Sequence, residues 1–194
     1  DRGDSLDSGI MQIRSRQLRC SVELSGMTKS AFVSAALCFA FSCATTTQRE
    51  NLPPLQTVAK VDLSRYLGTW HKIASFPQSF QKGCTRSTAN YSLLPDGEIE
   101  VVNKCNIDSV TGPEKTAKGR ARVIDTASNA KLEVSFFRPF WGDYWIVDLG
   151  ADYEYAVVGH PGRDYLWILS RAPTLSATQY DDILARLKAM HYDT

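Results

Sequence analysis

The chain has almost no net charge. Across 194 residues, 22 Lys and Arg stand against 21 Asp and Glu, so there is no excess of basic side chains to neutralise a phosphate backbone, which argues against a nucleic-acid partner. Histidine is scarce. His71, His160 and His191 have no metal-ligand spacing, and there is neither an H-E-x-x-H nor a paired Cys-x-x-Cys, so no metal is expected. No G-x-S-x-G elbow and no phosphate-binding glycine loop is present. Without a catalytic constellation or a cofactor motif, the chain reads as a binding protein rather than an enzyme. A membrane-spanning apolar run is missing too. The stretch Ala31 to Phe41 covers only about half of the ~20 residues needed to cross a bilayer.

What that stretch does match is an export signal. Met27 is a better start than Asp1. It is followed by Thr28, Lys29 and Ser30, the apolar run, and then Ser42-Cys43-Ala44, which is the order of n-region, h-region and small-residue junction. Residues 1–26 are then an upstream extension with no expected fold, 27–42 a signal peptide, 43–59 an anchor linker and 60–194 the folded domain. Ala40-Phe41-Ser42-Cys43 resembles the lipobox of bacterial lipoproteins, with Ala40 where Leu is usual. That resemblance implies lipidation of Cys43, and Ala44 after it implies the outer membrane, with the domain facing the periplasm. Acyl chains there would hold the protein on the surface at ~0.8 kcal/mol per buried CH₂. Cys38 fits less well because Leu37 is too bulky for the cleavage position. Removing residues 1–42 takes away five basic and four acidic residues and leaves 17 of each.

From Gly68 to Arg171 the sequence alternates short β-type runs with turn residues: 69–76, 87–94, 99–105, 118–124, 131–137, 144–149, 153–158 and 165–171. Regular short runs of this kind predict an all-β sandwich or barrel. Leu94-Pro-Asp-Gly-Glu98, Thr126 to Ala130, Gly150-Ala-Asp152 and Gly159 to Asp164 are turns joining chain neighbours. The expected fold is an eight-stranded antiparallel up-and-down β-barrel, wide enough to hold one small ligand. Ala89, Tyr91 and Leu93 share one face. Gly119, Ala121 and Val123 alternate with Lys118, Arg120 and Arg122, and Leu132, Val134 and Phe136 alternate with Lys131, Glu133 and Ser135. Small inward residues on the fourth strand leave room for a cavity, unless opposing aromatics fill it. After the barrel, Ser176 and Gln179 have capping-box spacing. Tyr180, Ile183, Leu184 and Leu187 form one helical stripe, predicting a C-terminal α-helix packed outside, with Trp145 and Val147 as its landing place.

Gly68-Thr69-Trp70, the Leu149 to Tyr155 segment with Asp152-Tyr153, and Tyr165 to Arg171 followed by a helix occur in the order of one known family. Residues 60–194 resemble the lipocalins and, within them, the bacterial outer-membrane lipocalins. The resemblance implies binding, storage or transport of lipophilic ligands, fatty acids such as palmitate or lysophospholipids, with a role in envelope maintenance. The sequence leaves room for a homodimer.

In a barrel of this topology Trp70 and Arg171 meet at the closed floor, where a guanidinium over an indole contributes ~0.5 to 2 kcal/mol. The connectors 76–80 and 136–142 go to the open end, so Phe76, Phe80, Phe136, Phe140 and Trp141 would ring the mouth. Apolar loops of that kind meet a ligand, a partner or a membrane, or pack among themselves. Parity sends Tyr165, Trp167 and Leu169 inward, with Tyr144 and Ile146 from strand six. With Tyr91, Ala121 and Val134 they complete a mostly apolar ligand wall with phenol and indole handles. Arg138, beside the mouth, is placed to meet an anionic head group. Lys72 also points inward, where related bacterial lipocalins often carry an acid, and is expected to pair with Asp148 or Glu154 rather than stay buried alone. Cys84 and Cys105 stand near-opposite across the Pro95 hairpin, and export makes a disulfide the expected state. The alternatives are a protein-interaction lipoprotein with a filled barrel and an enzyme acting on a lipid.

Overall fold

A computed structural model of the chain describes residues 11–12 and 52–194. The expected signal peptide and Cys43 lie outside the described residues. Eight antiparallel strands follow one another around a closed barrel: β1 (Gly68–Ser75), β2 (Cys84–Leu93), β3 (Ile99–Ile107), β4 (Glu114–Val123), β5 (Lys131–Phe137), β6 (Phe140–Leu149), β7 (Tyr155–Gly159) and β8 (Leu166–Ser170). Each pairs with the next, and β8 closes on β1 through His71↔Ser170, Lys72↔Leu169, Ala74↔Ile168 and Ser75↔Trp167. The meander follows from the turns. At the β2–β3 hairpin, Leu94 N–H donates to Glu98 O at 2.8 Å and Gly97 takes a φ of +85°, a conformation that favours glycine.

Residues 1–26 carried no structural expectation, yet Met11–Gln12 runs parallel to Ala74–Ser75. The reason lies in β1, whose pairing with β2 stops at His71↔Thr88. Beyond that point the edge of β1 facing β2 is open, and an open edge pairs readily with further backbone.

The apolar residues divide into two cores. The inner one, inside the barrel, includes Trp70, Tyr91, Ala121, Ile146 and Val158. The outer one lies between the barrel wall and helix α2 (Ala177–Ala189). Ser176 caps α2 by accepting from Gln179 N–H at 3.2 Å. Tyr180, Ile183 and Leu187 are buried in a cluster with Val147, Val157 and Ile168, against which Trp145 and Leu184 also pack, as the stripe predicts. Complete burial of Ile183 and Leu187 contributes ~1.5 to 3 kcal/mol each.

A short helix that alternation does not reveal, α1 (Leu63–Tyr66), crosses the closed end. Asp62 caps it, accepting from Ser64 N–H at 2.9 Å, and the preceding segment is held by Val61 N–H to Ser128 O at 2.7 Å. Val61 and Tyr66 thereby enter the inner core.

Two irregularities in the ladders decide where several side chains point. Register shifts fall between Lys72 and Ala74 on β1 and between Ile146 and Asp148 on β6. A bulge adds one residue and reverses the in/out alternation beyond it. Thus Trp70 belongs to the inner core, while Ala74 and Phe76 belong to the outer one. Likewise Ile146 is inside, and Asp148 turns out to α2, where it accepts from Arg186 Nε at 2.8 Å.

Candidate functional site

The closed end is built from α1, β1 and the end of β8. The Arg171 guanidinium lies 3.7 Å from the centroid of the Trp70 ring. It also donates to Thr69 O at 2.8 Å, Arg65 O at 2.6 Å, Tyr66 O at 3.2 Å and Leu67 O at 2.9 Å. The carbonyls at the end of a helix lack partners within it, and Arg171 supplies them for α1. Trp70 is fully buried and donates Nε1–H to Tyr66 O at 2.8 Å. This end is sealed.

Immediately above the floor, three phenols from three elements converge. Tyr144 Oη on β6 is 2.7 Å from Tyr66 Oη on α1 and 2.9 Å from Tyr91 Oη on β2. Burial pushes Tyr66 and Tyr144 well above the ordinary tyrosine range and Tyr91 up to about 12, so all three are neutral hydrogen-bonding groups at physiological pH. Ala121 is buried in the same inner cluster, and Val134, Tyr144 and Trp167 pack against it. Gly119 has no room for a side chain, because a Cβ would come within 2.6 Å of Ser135 O and 2.8 Å of Phe136 Cδ1. The Phe136 ring, itself 45% exposed, is what stands beside Gly119.

The other end is open. A pocket of about 510 Å³ lies where β1 and β2 separate, bordered by Lys72, Ser75, Gln81, Cys84 and Thr85 and roofed by the 76–83 connector with its 3₁₀ turn Ser79–Gln81. Lys72 Nζ donates to Gln81 Oε1 at 3.3 Å, and Trp167 Nε1 donates to the same oxygen at 3.4 Å. Tyr165 stacks on Trp167 with ring centroids 5.9 Å apart and continues that wall to the rim. Cys84 and Cys105 are bonded, with their Cα atoms 5.3 Å apart, pinning the start of β2 to the end of β3 beside the opening. Phe80 projects from the 76–83 connector and Phe137 and Phe140 from the paired ends of β5 and β6, 58%, 76% and 71% exposed.

Three expectations are corrected. The Phe76 ring does not project at the rim, although the residue borders the pocket. The bulge on β1 turns it into the outer core, where its ring centroid lies 6.1 Å from that of Tyr192. Trp141 is not in the mouth either. Its ring is covered by Arg122 at 4.2 Å and approached by Arg138 at 5.7 Å, on the face where Arg122 pairs with Glu133 at 2.7 Å. The reason is that β6 begins at Phe140, so alternation back from the inward Tyr144 sends Trp141 outward. Arg138 ion-pairs with Glu98 at 3.0 Å and stays 60% exposed. Lys72 pairs with neither expected acid, since Asp148 is turned to Arg186 and Glu154 accepts from Asp152 N–H at 3.1 Å.

Sequence reasoning missed Gln81 and Tyr66. The Asp62 cap followed by Leu63 and Tyr66 at i, i+3 was a signal for α1. Nothing in the sequence marks Gln81 as a partner of Lys72. Among the described residues no group of three or more His, Cys, Asp or Glu could hold a metal ion.

Residues 61–194 match the model of the Lipocalin-like domain. The chain is 42% identical to the outer membrane lipoprotein Blc of Escherichia coli K12 over 135 residues, 69% of this chain and 76% of that protein. With Blc of Citrobacter freundii the identity is 44% over the same shares of the two chains. Among solved structures, insecticyanin from the tobacco hornworm Manduca sexta superposes with a TM-score of 0.56 at 21% identity, covering 72% of this chain and 79% of its own, a likeness of fold. A closed eight-stranded meander with a sealed floor, a helix against its outer wall and these matches have one reading: the chain belongs to the lipocalin family.

Proposed function

We propose that this lipocalin binds single-chain lipids, fatty acids or lysophospholipids, and stores or carries them at the outer membrane in the service of envelope maintenance. The observation that carries this is the asymmetry of the barrel. One end is closed by Trp70 and Arg171, whereas the other carries a pocket of about 510 Å³, within the ~300 to 1,000 Å³ range of small-molecule sites. Ala121, Val134 and Leu169 do not border that pocket but belong to the apolar inner core of the barrel, towards which an acyl chain would run, with the phenols and the Trp167 indole as polar handles.

The similarity to proteins named outer membrane lipoprotein supports an outer-membrane location, with Cys43 as the lipidated residue and 43–59 as the tether. Incorporation of labelled palmitate that disappears in Cys43→Ser would support the anchor, and incorporation unaffected by that change would refute it. Native mass spectrometry of the purified domain tests the carrier function. A co-purifying monoacyl lipid at one per chain is the expected result. An empty barrel whose tryptophan emission is unchanged by lysolipid would defeat it. A second reading, in which the mouth docks a protein, is favoured by the exposure of Phe80, Phe137 and Phe140. It gains ground if Phe137→Ser/Phe140→Ser abolishes a protein association while lipid binding persists.

A further inference from the structure

Lys72 is a cation of the inner wall that has no counter-charge among the described residues. It sits in the β1–β8 ladder opposite Leu169, one alternation above the fully buried Trp70, and it borders the pocket. Among the described residues no carboxylate lies within ion-pair distance of it. Burial draws its pKa below the ordinary lysine value, so the charged form lacks the compensation that a buried cation requires.

Among the described residues its one hydrogen-bond acceptor is an amide oxygen that it shares. Gln81 Oε1 receives Lys72 Nζ at 3.3 Å and Trp167 Nε1 at 3.4 Å. Both distances are long beside the ~2.7 to 2.9 Å of charge-assisted N–H···O bonds. Two donors from adjacent strands of the rigid wall, one of them cationic, thus converge on a point that a neutral acceptor from a connector reaches only loosely. An ammonium has three N–H donors and an indole one, so at least two lysine donors remain for a second oxygen. This is the donor set for an anion's two oxygens, and its cation borders the pocket beside Gln81.

We propose that Lys72 and Trp167 form an anion-anchoring site for the head group of a single-chain lipid, in which a carboxylate or phosphate oxygen takes the position that Gln81 Oε1 holds here. Gln81 is then a competitor of the ligand rather than a contact to it, and movement of the 3₁₀ turn Ser79–Gln81 admits the head group. This rests on the lipid-carrier reading and sharpens it: the barrel selects acyl chains that end in an anion over neutral ones.

The test compares three C16 lipids on the full chain by titration: palmitate, 1-palmitoyl lysophosphatidic acid, and neutral 1-monopalmitoylglycerol. The expected result is that at least one anionic lipid binds about tenfold or more tightly than the neutral one, as suits a charge pair formed out of water. In Lys72→Met that ratio falls towards one, and in Lys72→Arg it is largely kept. Gln81→Ala strengthens anion binding several-fold. Which anionic lipid is preferred distinguishes a carboxylate from a phosphate head group. A ratio that survives Lys72→Met, or weaker anion binding in Gln81→Ala, overturns the site while leaving the carrier function standing. Binding of none of the three lipids to the parent chain overturns both. Should Lys72→Met lose its near-ultraviolet circular dichroism, Gln81→Ala alone decides, since it removes only the competitor.

Discussion

Arg186 on α2 donates Nε–H to Asp148 on β6 at 2.8 Å and Nη2–H to the Tyr155 hydroxyl on β7 at 2.9 Å, so one guanidinium fastens the helix to two strands of the barrel wall. Asp148 reaches it only because the bulge between Ile146 and Asp148 turns the carboxylate away from the interior. The Asp148 side chain is 15% exposed and that of Arg186 42%, which places the pair between a surface and a buried ion pair. Arg186→Ala is expected to cost about 1 kcal/mol. Asp148→Ala costs more, because it also removes an acceptor of the Tyr155 hydroxyl. Urea unfolding of both single variants and the double variant measures the coupling directly.

Arg171→Met should be among the most destabilising single changes outside the apolar core. It removes the cation over Trp70 and leaves the carbonyls of Arg65 and Leu67 without this donor, while Tyr66 O keeps only Trp70 Nε1–H. A loss of about 3 kcal/mol is expected, from ~1 kcal/mol of cation–π attraction and unsatisfied acceptors at a helix end. Arg171→Lys recovers only part of it, since an ammonium cannot present the planar fork. Guanidinium denaturation monitored by tryptophan emission reports the difference, and an Arg171→Lys midpoint equal to the parent's would refute the role of the fork.

The Cys84–Cys105 bond closes a loop with a sequence separation of 21. The chain-entropy model predicts that Cys84→Ser/Cys105→Ser lowers unfolding stability by about 3 kcal/mol. The mass of the intact chain should rise by two hydrogens on reduction. Because the bond flanks the pocket, the double variant is also expected to bind lipid more weakly than its global stability alone dictates.

Stability should fall on the alkaline side. Burial raises Tyr66, Tyr91 and Tyr144 above the ordinary value of 10.0, Tyr91 to about 12, so between these pH values the folded chain holds more protons than the unfolded one. The phenols' contribution is therefore complete below pH 10 and is lost as pH rises through the folded pKa values. Lys72 is shifted the other way and gains stability towards its ordinary 10.5, but one amine is opposed by three phenols. Absorbance at 295 nm should show these tyrosines ionising only with unfolding. Tyr144→Phe, which removes the middle hydroxyl of the chain, should cost ~1 to 3 kcal/mol at neutral pH. Early ionisation of all tyrosines without loss of structure would contradict the network.

Much of this fold is carried by local pattern. Residues such as Leu132 and Val134, alternating with Lys131 and Glu133, specify a strand with one wet and one dry face, and Lys131–Phe137 is the observed β5. Short turns make neighbours pair, and neighbour pairing around eight strands leaves closure of β8 on β1 as the way to remove both edges. The helix stripe and its landing place are equally local statements, and so is the meeting of Trp70 with Arg171, once strand direction is known. What the sequence by itself determined is therefore the barrel, its sealed end and the helix on its wall. Only the tertiary structure decided what faces the ligand space. The bulges at Lys72–Ala74 and Ile146–Asp148 arise from how strands of unequal path fit around a closed barrel, and each reverses the face of the residues beyond it. They put Phe76 and Asp148 outside, leave Lys72 without an acid, and so bring it to Gln81 and Trp167. Alternation is a property of a single strand, whereas a bulge is a property of two strands and the closed circuit they must complete.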